Sequence, residues 1–124
     1  MSLIPYIFEY IWIGGNNEYR SKIRILELDS IYFDNKLFDE LLELLKINYE
    51  WNYDGSSTNQ ASVENSEVIL KPVYMIKNKL VDTNNYLILC DTYNIDENNF
   101  NIIPTQTNNH HNAKKIFCHI RGSC

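Results

Sequence analysis

Residues 36–47 read KLFDELLELLKI, and the interpretation of the whole chain turns on this stretch. Leu37, Leu41, Leu44 and Leu45 fall at i, i+4, i+7 and i+8, which is one apolar stripe along a helix. Asp34 or Asn35 is placed to cap its start. Asp39 and Glu40 follow in the first turns, where carboxylates favour the positive end of the helix dipole. The stripe reads as a surface that faces a core. On either side of it the period changes.

Towards the N-terminus, residues 5–13 (PYIFEYIWI) are dominated by aromatic and β-branched side chains and read as a strand. Gly14, Gly15, Asn16 and Asn17 supply turn chemistry, the asparagines suiting left-handed backbone. Residues 19–26 (YRSKIRIL) then alternate, with Ser21, Ile23 and Ile25 on one face and Arg20, Lys22 and Arg24 on the other. The two runs form a predicted hairpin, and the Arg/Lys stripe reads as its solvated face. Towards the C-terminus, residues 49–66 are polar and read as a long loop around Asp54-Gly55. Residues 67–71 (EVILK) are a strand whose continuation Pro72 restricts. Residues 86–90 (YLILC) are apolar on both faces, as a mid-sheet strand is. Pro104 and the polar stretch after it mark a linker, and residues 108–120 start a helix with Ala113, Ile116, Phe117 and Ile120 on one side. Strands wrapping one helix predict an α+β domain.

A length of 124 residues allows one domain. With 11 basic and 16 acidic side chains the net charge is 11 − 16 = −5, which argues against nucleic-acid and membrane-surface partners. The apolar start lacks a basic leader region and is interrupted by Glu9, so no signal peptide is expected and a cytoplasmic chain is the default. Cys90, Cys118 and Cys124 are odd in number and widely spaced, and read as thiols. His110 and His111 are adjacent and His119 lies eight residues beyond, a spacing that one metal ion does not bridge on a helix.

Residues 50–58 read Glu-Trp-Asn-Tyr-Asp-Gly-Ser-Ser-Thr. This run closely resembles the W-N-[FY]-D-G-S-S-T motif of eukaryotic-type glutamine synthetases. Three further segments are similar to that family in the same order. They are Tyr10–Ile13 with Tyr19–Arg24, Ser66–Leu70 with Pro72, and Leu87–Tyr93 (LILCDTY). Asn59 stands where the motif usually continues with Gly. Residues 37–47 are longer than the family's segment, and His110 stands where a T-N-x-R pattern has Arg.

The resemblance implies a β-grasp domain, a mixed sheet packed on one helix, over residues 1–105. Residues 106–124 would be a linker and the truncated start of a catalytic-domain helix. In the family this domain packs on the catalytic domain of a neighbouring subunit and lends it the D-G-S-S loop. The reaction joins ammonia to glutamate with ATP through a γ-glutamyl phosphate. By the match, Asp54 would be the carboxylate on the ammonium side and Ser57 the hydroxyl beside it. Gly55 would allow the bend, and Trp51 would position the loop. ATP and Mg or Mn would belong to the family's catalytic domain, so no cofactor or metal is expected on these 124 residues and no activity from them alone. Expected partners are full-length glutamine synthetase subunits or a second copy, with self-association through exposed apolar surface. A non-catalytic docking module and an unrelated ubiquitin-like binding module are the alternatives.

Overall fold

Strand β1 (Leu3–Ile13) places Tyr6, Phe8, Tyr10 and Trp12 at alternate positions, all buried. That two-residue period puts four aromatic side chains on one face of the strand, and the rest of the chain is arranged to cover them. The computed structural model describes residues 2–33, 35–55, 67–78, 84–95, 102–104 and 118.

The chain turns at Gly14–Glu18, where Asn17 takes the left-handed conformation at φ 62°, and returns as β2 (Tyr19–Asp29), antiparallel to β1. Two short 3₁₀ turns, Ser30–Phe33 and Asn35–Leu37, lead into helix α1 (Phe38–Asn48). The remaining strands are β3 (Trp51–Asp54), β4 (Glu67–Lys77), β5 (Asn85–Ile95) and β6 (Ile102–Pro104). The sheet runs β2-β1-β5-β4-β3, with β6 also pairing β5. The β1–β5 pair is parallel and the others are antiparallel. This is the mixed sheet curled around one helix that the sequence predicts, an α+β fold of β-grasp type.

Leu41 and Leu45 of α1 are fully buried among the β1 aromatics, Leu70, Met75, Tyr86, Ile88 and Cys90, while Leu44 packs at the margin. Each buried leucine contributes about 1.5–3 kcal/mol relative to exposure. The helix is not capped as expected. Its N-cap position is Leu37, which makes no side-chain cap bond, because the preceding 3₁₀ turn includes Asn35; Asp34 lies outside the described residues.

Pro72 is accommodated in β4 by geometry. The β3 partnership ends at Leu70, so Pro72 lies past the point where a second neighbour needs its missing N–H. A bulge follows, as Pro72 pairs with Cys90 and Tyr74 with Leu89.

Three expectations are corrected. Residues 51–54 are a strand, not loop, because they pair with β4, and Pro104, read as the start of the linker, still pairs with Tyr93 at the end of β6. The faces of β2 are also reversed. Ile23 and Ile25 are 59% and 63% exposed, whereas Lys22 and Arg24 turn to the concave side and are half-buried. Finally, Cys118 is disulfide-bonded and not a free thiol. Cys90 is the buried free thiol expected of a central strand, and burial pushes its pKa well up. Most of residues 106–124, with all three histidines, lie outside the described residues. Among the described residues, no helix is long and apolar enough to cross a membrane.

Candidate functional site

Strand β3 forms one edge of the sheet and ends at Asp54. It is held from three directions. Its backbone pairs with β4, setting Trp51 opposite Leu70, Tyr53 opposite Val68 and Asp54 opposite Glu67. Its inward side chains stack on β1 across the curl. Trp51 meets Tyr10 edge-on at 5.2 Å between ring centroids, and Tyr53 leans on Trp12 at 4.7 Å. Residues two apart on β1 thus meet residues two apart on β3, because each strand turns alternate side chains to the same interior. Such aromatic pairs add about 0.5–1.5 kcal/mol each beyond burial.

The third hold comes from β2, the opposite edge. Lys22 Nζ lies 3.8 Å from the centroid of Trp51 and donates to the Asn52 carbonyl at 2.8 Å. Arg24 covers the same indole at 4.8 Å and Tyr49 at 5.6 Å. Burial, then the neighbouring Arg24 charge, lowers the Lys22 pKa. The same strip of rings raises Tyr10. Burial pushes its phenol up to about 12, against the pull of Arg24.

Among the expected site residues, Trp51 is half-buried in this arrangement, Asp54 is exposed at the strand end, and Gly55 is buried immediately after it. Ser57 lies outside the described residues. Asn52 and Asp54 alternate to the exposed side of β3. Asn52 Nδ2 donates to Glu67 Oε1 at 2.7 Å, and Glu67 is the cross-strand neighbour of Asp54. Two carboxylates facing each other across a strand pair repel, and a cation beside them relieves that repulsion.

Sequence reasoning missed Lys22 and Arg24, taking them for solvated cations. The aromatic run Tyr49, Trp51 and Tyr53 is the signal that locates them, since cations stack on indole and phenol faces.

No protein-family model matches the chain. Curated proteins do. A provisionally named glutamine synthetase of Acanthamoeba polyphaga mimivirus is 44% identical over 113 residues, 90% of this chain. The cytosolic glutamine synthetase isozyme 2 of Vitis vinifera is 44% identical over 114 residues, 91% of the chain, and the chloroplastic glutamine synthetase of Zea mays is 41% identical over 122 residues, 94% of the chain. The chain is homologous to the N-terminal domain of the glutamine synthetases.

It spans only 28%, 27% and 25% of the lengths of those three glutamine synthetases. Each of those glutamine synthetases therefore has about three times as much chain again. The W-N-Y-D-G-S-S-T run of the glutamine synthetase motif begins on β3, where the aromatic ladder and the Lys22 contact converge.

Proposed function

We propose that residues 1–124 supply the ammonium side of a glutamine-forming site and are inactive by themselves. The observation that carries this reading is the position of Asp54, an exposed carboxylate at the end of a braced edge strand that another polypeptide can reach. The homology to glutamine synthetases supports the reaction class. Among the described residues, no three His, Cys, Asp or Glu side chains are grouped to hold a metal ion.

The chemistry follows from the carboxylate. Asp54 attracts ammonium by charge and accepts a proton from it, which frees the nitrogen lone pair. Ammonia then attacks the acyl carbon of a γ-glutamyl phosphate held by the partner. The C–N bond forms, the bond from that carbon to the phosphate oxygen breaks, phosphate leaves and the nitrogen sheds a further proton. By the motif match, Ser57 would supply a hydroxyl on the ammonium side, and Gly55 would let the chain bend to present it with Asp54. The reading places the protein in the cytoplasm, in nitrogen metabolism.

Co-expression with a full-length plant glutamine synthetase carrying Asn at the position aligned with Asp54 tests this. The chain should co-purify and restore glutamine formation, and Asp54→Asn in the chain should co-purify without restoring it. Absence of binding, or binding without restoration by the unaltered chain, overturns the proposal.

A second reading is favoured by the outer face of the sheet. There Ile13 and Leu89 cluster with Ile11 and Ile76, and Ile23, Ile25 and Tyr74 are exposed. A chain docking by this face and occupying a subunit interface would inhibit a wild-type synthetase. Lowered activity on co-expression distinguishes this outcome.

A further inference from the structure

The two edges of the sheet, β2 and β3, are furthest apart in strand order, yet side chains of β2 reach across to β3. Lys22 leaves β2, lies along the Trp51 indole and donates to the Asn52 carbonyl at 2.8 Å. On an edge strand, the carbonyls directed away from the neighbour have no ladder partner. Lys22 supplies one, standing where a further strand would be.

The choice of lysine is informative. Lys22 and Arg24 lie two apart on one face and both cover Trp51, with no salt-bridge partner for Lys22 among the described residues. Desolvation and like-charge repulsion both disfavour a cation there, as the lowered Lys22 pKa records. A methionine would cover the indole without that cost, though without a cation's attraction to the ring face. It also lacks a donor for Asn52. The hydrogen bond is what lysine adds beyond contact with the ring.

Asn52 is also tied on its other side. Its amide donates to Glu67, which faces Asp54 across the strand pair. Asp54 lies two residues further along β3, on the same side of the strand as Asn52. The backbone that presents Asp54 is thus clamped at Asn52 between β2 and β4.

We infer that Lys22 is a positioning residue for Asp54, holding β3 in place from the opposite edge of the sheet through the Asn52 carbonyl and the Trp51 ring. This rests on the reading of Asp54 as the ammonium-side carboxylate. Lys22 itself touches no substrate. Its removal should loosen β3 locally and displace the carboxylate, leaving the helix and the central strands as they are.

The test has two independent parts. In the chain alone, amide hydrogen exchange is compared for the unaltered protein, Lys22→Met and Lys22→Arg. Loss of one hydrogen bond to a charged donor should speed exchange of residues 51–54 by about tenfold or more in Lys22→Met. Exchange at Leu41 and Leu45 of α1 should not change, and Lys22→Arg, which keeps charge, stacking and donor, should restore β3. Uniform acceleration across the domain would show a purely structural role and overturn the inference, as would unchanged β3 exchange. In the complemented complex described above, Lys22→Met should raise the KM for ammonium or lower kcat by about ten- to a hundredfold, the cost of a misplaced group. The KM for ATP should be unaffected, with Lys22→Arg close to the unaltered chain. Selective loosening of β3 with unchanged ammonium kinetics refutes the positioning role. If the unaltered chain restores no activity, the functional reading fails, and the exchange data still decide whether Lys22 clamps β3.

Discussion

The Tyr10 hydroxyl donates to the Tyr49 carbonyl at 2.7 Å, so the strand at the centre of the core holds the residue at which the helix ends. The Tyr49 amide in turn donates to the Leu45 carbonyl at 3.0 Å, closing the last helical turn. Tyr10→Phe keeps the ring and its edge contact with Trp51 and leaves that carbonyl without its donor. A loss of about 1–2 kcal/mol is expected, measurable as a lower denaturant midpoint with an unchanged m-value.

Alkaline pH should destabilise the fold in a defined window. An unfolded phenol titrates near ~10, whereas burial raises Tyr10 to about 12 and also raises Tyr6, Tyr86 and Tyr93. Below the unfolded value all these groups are protonated in both states, and their contribution is fully present. As pH climbs from about 10 towards 12, the unfolded chain releases protons that the folded chain retains, and stability falls. The buried Cys90 thiol acts in the same direction from slightly lower pH. Denaturant midpoints between pH 8 and 12, with tyrosinate absorbance as a second probe, read this out; Tyr10→Phe should flatten the decline.

Leu41 and Leu45 are the helix's two fully buried side chains. Leu41→Ala should cost about 2–5 kcal/mol through lost transfer energy and a cavity, visible as a large drop in Tm. Leu44→Ala, at a half-buried position, should cost clearly less.

The isolated chain should self-associate through the outer face of its sheet. Ile23 and Ile25 project there from β2 opposite Glu9 and Ile7. Sedimentation should show association that rises with concentration. The double variant Ile23→Lys, Ile25→Lys should be monomeric without loss of Tm, the first lysine gaining Glu9 as a neighbour.

The hairpin, the helix stripe and the mid-sheet run at 86–90 were legible because period and burial agree locally. Alternation in β2 was legible too, but not which face lies inward. The period of two reports that faces differ, and only the distant rings of Tyr49 and Trp51 decide that Lys22 and Arg24 are the concave set. Strand β3 was hidden because Trp-Asn-Tyr-Asp is short and carries two turn-forming side chains; its extended form comes from pairing with residues 67–70. The site was legible as the motif around Asp54, while its bracing, a contact across 30 residues of sequence, was not.

The parallel pairing of residues 7–11 with 85–89 sets a schedule for biosynthesis. At roughly 5–20 residues per second, the ribosome needs several seconds after making the first strand to deliver its second neighbour. Throughout that interval Tyr6, Phe8, Tyr10 and Trp12 have the β2 hairpin beside them and no complete sheet around them. Until then that aromatic row is uncovered apolar surface, and a chain that stops before residue 85 lacks the parallel strand that closes the core over it.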